Sequence, residues 1–366
     1  MKTAMKIVQL LPELHEGGVE RGVVELNREF VQRGMTSVVI SRGGRLVKEI
    51  EAAGGVHVHF DVCSKNPFSV PLRVRGLKKI FRRLDPDILH ARSRVPAWLT
   101  YLANRRLRYP FVTTVHGLNS VNKYSEIMTR GDRVIVVGEP VRDHILRHYP
   151  VPAEKIRVVQ RGVDLGRFSP ELLDREFIEQ FKRKHGLQDK YVVTSVGRIT
   201  WLKDYETFIE AVALLKEAIP DLVGLIVGGT REDKTKYLEG LKALTRKLGV
   251  EERILFAGSQ AKIAEIYALS DVLVNASLKM GNIGRTIIEA FALDTPVIAT
   301  TYEGLQNLVV NGVNGYLINT RDPGDLAEKI RLVRQGRFRD IRANLNPEYT
   351  LDTMVEKTIA TYRELV

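Results

Sequence analysis

Cysteine is nearly missing from this sequence: Cys63 is the one thiol among 366 residues. An internal disulfide framework is therefore excluded, and a reducing compartment, the cytoplasm, is the default expectation. Long apolar runs are missing as well. The stretches at 134–137 and 296–299 fall far short of the roughly 20 residues that a membrane-spanning helix needs. Lys2 and Lys6 lead into an apolar stretch at 7–11, too short for the core of a secretion signal, and it reads as a first buried strand. No cluster of Cys, His and carboxylates has metal-ligand spacing. His57 and His59 merely alternate along an apparent strand, so no metal is expected. Aromatics make up 7% of the chain, and none is interleaved with the cations on the basic side of its basic helix as an RNA reader would require. Nucleic acid is not expected as a partner.

What is present is length for two cores and an uneven charge. Up to Phe168 there are 29 Lys and Arg against 16 Asp and Glu. The rest of the chain has 27 against 28, so the formal net charge of +12 belongs to the first half. Within it Val70, Val74, Leu77, Phe81 and Leu84 step at helical intervals, and Arg75, Lys78, Lys79, Arg82 and Arg83 cover the remaining circumference. Arg105, Arg106 and Arg108 extend this basic region, 73–108. Such a face is expected to meet an anionic membrane surface reversibly, at roughly 1 kcal/mol per cation. A solvated helix back is the plainer alternative.

Apolar runs of strand length alternate with helical patterns throughout, as in parallel α/β sheets. Strands are expected at 6–11, 37–41, 56–60, 88–90, 111–114 and 134–137. A second set is expected at 191–196, 223–227, 254–256, 272–275 and 296–299. Between the sets, 161–170 (RGVDLGRFSP) reads as a linker. The expected division is a basic N-terminal domain at 1–168, a second domain at 169–349 and a terminal amphipathic helix at 350–366.

Five places stand out chemically. Gly17-Gly18 follows the first strand and opens a helix, where backbone can approach a phosphate or sugar; a tight turn is the bland alternative. His116-Gly117 ends another strand, at the edge where open α/β sheets place ligands. Arg198 and Lys203 follow the first strand of the second set, and two converging cations suit a diphosphate. Gly281 and Gly284 lie in a loop that runs into a helix bearing Glu289. That start offers N–H groups to an anion and a carboxylate to a sugar diol. Finally, His90-Ala-Arg92-Ser-Arg94 leaves a strand, with cations able to hold an anionic group.

In this order and at this spacing the landmarks resemble the retaining glycosyltransferases of family four, which have the GT-B fold of two Rossmann-like domains facing a cleft. The resemblance covers most of the chain. It implies a nucleotide-diphosphate sugar as donor, a glycan or lipid-linked acceptor and no cofactor or metal. His116 would reach the donor sugar near its reacting carbon, and Arg198 and Lys203 would hold the leaving diphosphate. Asn282, Ile283, Gly284, Arg285 and Thr286 would serve the donor together with Gly17 and Gly18, and Glu289 would take the ribose hydroxyls. His90, Arg92 and Arg94 would face the acceptor, in a form similar to a branch associated with bacterial surface glycans. The final helix would cross back onto the first domain, and closure of the two domains would exclude water. Two departures stand out. Asp204 follows Lys203 where the family has glycine. Gly281 stands where the family has the first glutamate of a pair, which leaves open a catalytically weak subunit or a nucleotide-sugar epimerase of the same fold.

Overall fold

The computed structural model describes residues 4–15, 17–230, 235–278, 284–302 and 305–366. It falls into two compact units, Met1–Arg161 with Leu351–Val366, and Gly162–Thr350. The first unit is built on strands β1 (Lys6–Leu10), β2 (Thr36–Ser41), β3 (Val56–His59), β4 (Ile88–Ala91), β5 (Phe111–Val115), β6 (Arg133–Val136) and β7 (Ile156–Val158). Their order is β3-β2-β1-β4-β5-β6-β7. The second unit has β8 (Tyr191–Val196), β9 (Leu222–Val227), β10 (Ile254–Gly258), β11 (Val272–Asn275), β12 (Val297–Thr300) and β13 (Gly315–Ile318), ordered β10-β9-β8-β11-β12-β13. Every pairing in both sheets is parallel. Parallel strands need helical crossovers that cover both faces, which is why β5 and β12 are buried at every position and read as apolar runs.

In both sheets the strand order reverses direction next to the first strand, between β1 and β4 and between β8 and β11. Crossovers leave opposite faces there, so a crevice opens beyond the carboxyl ends of those strands. These two switch points are where polar side chains need an explanation other than packing.

The helix Val70–Leu84 has the range its periodicity predicts, with Leu77 and Phe81 fully buried. Arg73 departs from the expected basic face: it is buried, and its Nη2 donates to the Asn66 carbonyl at 3.2 Å. The last helix, Leu351–Arg363, sets Leu351, Met354, Val355, Ile359 and Tyr362 against Ile7, Leu26, Phe30, Ile88 and Ile135. Each such side chain removed from water contributes about 1.5–3 kcal/mol before entropy is counted, so this helix belongs to the first unit's core. Glu364 adds ion pairs to Arg133 and Arg157, each at 2.6 Å. The second unit begins at Gly162 rather than after Phe168 because Val163 and Phe168 pack with Tyr267, Ile287 and Phe291. Among the described residues no helix is long and apolar enough to cross a membrane.

Candidate functional site

At the switch point of the second sheet the chain leaves β8 through Gly197 and Arg198 and makes one helical turn, Trp201–Lys203. The Lys203 side chain runs back across Gly197; a Cβ there would lie 2.9 Å from its Cε. Lys203 Nζ donates to Ser277 Oγ at 3.1 Å, tying the loop after β8 to the loop after β11. Ser277 Oγ donates in turn to Asn275 Oδ1 at 2.6 Å, and Asn275 Nδ2 donates to Thr286 Oγ1 at 3.1 Å. The ammonium thus sits on a neutral hydroxyl, and burial together with the neighbouring Arg198 guanidinium lowers its pKa. Arg198 itself is exposed. Asp204, the departure from the family pattern, has φ 49° and ψ 52°, the left-handed region that favours glycine. Asp is among the residues that tolerate this region, and its Oδ2 accepts from Thr207 Oγ1 at 2.7 Å. The loop keeps a glycine-like backbone without glycine.

Gly284 caps the helix Arg285–Phe291 in an extended conformation. Glu289 is 8% exposed and already engaged: Arg285 Nε donates to its Oε1 at 2.7 Å and Tyr267 OH to its Oε2 at 2.9 Å. Each oxygen retains further lone-pair capacity, so a ribose would join this triad and not meet a bare carboxylate. Asn282 and Ile283, together with Lys279 and Gly281, lie outside the described residues.

In the first unit four polar side chains are buried at the carboxyl ends of the central strands: Gln9, His90, Arg92 and Thr114. His90 corrects the sequence expectation. Its Nδ1 meets Tyr362 OH at 2.6 Å and its Nε2 meets Thr114 Oγ1 at 2.7 Å, so both nitrogens are occupied by the fold. Arg92 is a second correction. Expected as a cation able to hold an anionic group of the acceptor, it is 7% exposed and engaged by the fold, donating to Gln9 Oε1 at 2.7 Å and to Thr114 Oγ1 at 3.4 Å, because it is the first residue beyond a central strand flanked by β1 and β5. Burial pushes its pKa down. Arg94 lies further out, donating to Ser125 Oγ at 3.2 Å and stacking over Tyr124.

His116 lies just beyond β5. Arg161 Nη2 donates to its Nδ1 at 3.0 Å, and Arg161 Nη1 also donates to the Gly18 carbonyl. His116 Nε2 is buried without a hydrogen-bond partner among the described residues. Burial first, then the Arg161 and Arg92 charges, hold the imidazole well below its ordinary pKa. The glycine pair has a reason the sequence did not reveal: a Cβ on Gly18 would lie 3.2 Å from Arg161 Nη1. Gln9 Nε2 and Arg92 Nε are also buried without acceptors among the described residues, so this end of the sheet has donors in surplus there. Oxygen-rich ligands complement such a surplus.

Gly17, Gly18, His116, Arg198, Lys203, Gly284, Arg285, Thr286 and Glu289 all stand at or near the two switch points, each within its own unit. Arg161, Ser277, Asn275 and Tyr267 were not singled out from the sequence. Arg161 opens a segment that reads only as a linker, and its partner is 45 positions away.

Residues 16–167 match the family model Glycosyltransferase Family 4, and residues 177–348 match Glycosyl transferases group 1. A D-inositol 3-phosphate glycosyltransferase of Thermomonospora curvata is 28% identical over 356 residues, covering 87% of this chain and 82% of that protein. The crystal structure of a glycosyltransferase from Rickettsia africae ESF-5 superposes with a TM-score of 0.90 at 30% identity, over 99% of this chain and 98% of that one. Anabaena HepE, solved in complex with UDP-glucose, shares the fold with a TM-score of 0.84 at 21% identity, over 98% of this chain and all of its own.

Proposed function

The chain belongs to family four of the glycosyltransferases and has their GT-B fold, and on that premise we propose that it transfers a sugar from a nucleotide-diphosphate sugar to a glycan or lipid-linked acceptor, retaining the anomeric configuration without a metal ion. The observation that carries this reading is the Lys203 ammonium, partly desolvated beside Arg198 and bonded to a neutral hydroxyl at the switch point of the second sheet. A cation so placed gains from an anion that brings its own negative charge. A diphosphate accepts one point charge and one guanidinium fork and becomes a tolerable leaving group once both are in place. The departing phosphate takes the acceptor's proton on the same face of the sugar. His116 offers a hydrogen bond to the donor sugar, and the Arg285–Glu289–Tyr267 triad receives the ribose. The UDP-glucose complex of HepE supports a nucleotide-sugar donor.

Bacterial surface polysaccharide is the acceptor class, and the protein works at the inner face of the membrane. Supporting this, Arg75, Lys79, Arg82 and Arg83 are exposed on the helix Val70–Leu84, with Arg105, Arg106 and Arg108 exposed beyond it. Phe68, 92% exposed, and Leu72, 75% exposed, stand at the start of that helix, and Leu72 is in helical line with Arg75, Lys79 and Arg82. Apolar tips beside a polybasic stripe supply the two signals that reversible anchoring needs. The deciding experiment for the transferase reading is Arg198→Ala in a donor-consumption assay with membrane-derived acceptor. Turnover falls severely while the melting curve holds; unchanged turnover refutes the role.

A further inference from the structure

We propose that Arg161 is a positioning residue that fixes His116 as its Nε2–H tautomer, so that the site presents a hydrogen-bond donor, and never a bare ring nitrogen, to a ligand oxygen. This rests on the transferase reading for the identity of that oxygen, a hydroxyl of the donor sugar, but not for the tautomer itself.

The tautomer follows from elementary chemistry. A guanidinium has N–H donors and no acceptor. Arg161 Nη2 lies 3.0 Å from His116 Nδ1, so Nδ1 must be the accepting, unprotonated nitrogen. The proton of the neutral ring is then on Nε2, which is buried and has no partner among the described residues. A buried N–H left without an acceptor costs free energy that a ligand oxygen recovers. Arg161 is itself held from a second side, because its Nη1 donates to the carbonyl of Gly18 at the start of the first helix. The absence of a side chain at Gly18 leaves room for that contact, since a Cβ would stand 3.2 Å from Nη1. The glycine turn after β1, the arginine after β7 and the histidine after β5 therefore form one assembly. A cation against Nδ1 also opposes protonation of the ring, so the donor at Nε2 is a neutral N–H at physiological pH.

The test is the nitrogen spectrum of His116 in the full-length protein labelled with 15N-histidine, assigned by the signals missing from His116→Gln. The expected wild-type pattern is an unprotonated Nδ1 and a protonated Nε2, unchanged between pH 8 and pH 6. A protonated Nδ1 in the wild type overturns the proposal without any Arg161 variant. Arg161→Met is expected to yield mixed tautomers, to raise the pH at which the ring titrates and to lower turnover about 10- to 100-fold, the scale of a small misplacement in a site. Arg161→Lys, which keeps a donor, restores part of all three. An unchanged tautomer in folded Arg161→Met also overturns the proposal. If the tautomer behaves as expected but His116→Gln turns over donor normally, Arg161 keeps its hold on the ring and His116 loses its place in the reaction.

Discussion

Replacing Lys203 by methionine keeps the length of the side chain and removes its charge. In the protein without ligand that charge is carried at a cost. Burial and Arg198 both lower its pKa, and its acceptor, Ser277 Oγ, is neutral. Lys203→Met loses one hydrogen bond from a charged donor, about 1.5–3 kcal/mol, and relieves a desolvated like-charge contact, so the two effects offset and the melting temperature is expected to change little. Nucleotide binding weakens instead. A hydrogen bond from a charged donor to phosphate contributes roughly 1.5–3 kcal/mol, which corresponds to about a 10- to 150-fold weaker Kd. Titration calorimetry with UDP- and GDP-sugars at low and moderate salt reads this directly. The wild type carries a further sign. An anion raises the Lys203 pKa toward or above its ordinary value, so binding takes up a proton wherever the free protein has begun to lose it, and affinity falls as pH rises toward 10. A variant that binds within twofold of wild type with the same pH dependence would refute the assignment of Lys203 to the diphosphate.

Two other outcomes follow from the first unit. His90 and His116 are both held well below their ordinary pKa, chiefly by burial. The unfolded chain takes up a proton on each below about pH 6.5 and the folded chain does not, so their contribution is present above that pH and is lost as pH falls from it, at up to about 2.7 kcal/mol per pH unit. Urea unfolding of the first unit at pH 7.5, 6.5 and 5.5 checks this, and equal stability at 7.5 and 5.5 contradicts it. Phe68→Ser with Leu72→Ser is expected to weaken binding to phosphatidylglycerol vesicles by roughly tenfold or more, since each apolar side chain buried is a favourable transfer. Binding that survives the double change intact, or that is as strong to neutral phosphatidylcholine, removes the membrane reading.

The sequence revealed strands best where burial is complete. Strands flanked on both sides and fully buried, such as β4 and β12, fall within a residue or two of their apolar runs. β7 and β13 were not expected. Each is a sheet edge, three or four residues long, one carrying Arg157 and the other opening with Gly315, and neither leaves a periodic signal. Site residues were legible when their chemistry is local, as with Lys203 a few positions after Arg198. They were illegible when the fold supplies the partner. His90 looked available because nothing near it in sequence announces Tyr362, 272 positions on, and Arg92 looked available to an anionic group because a loop residue beside a central strand cannot be told from one at an edge.

The two halves of the chain use positive charge differently, and this separates the effects of salt. The first half carries much of its excess on exposed arginines and lysines of the helix Val70–Leu84 and of residues 105–108, so its attraction to an anionic surface is long-ranged and should weaken steeply with ionic strength. Beyond Phe168 the balance is slightly negative, 27 against 28. Net charge therefore cannot hold a diphosphate there; the cations must be placed, and one of them is half-buried in a hydrogen-bonded chain from Lys203 through Ser277 and Asn275 to Thr286. Partly buried charges are screened less than exposed ones. Raising salt should thus release the protein from vesicles well before it releases nucleotide.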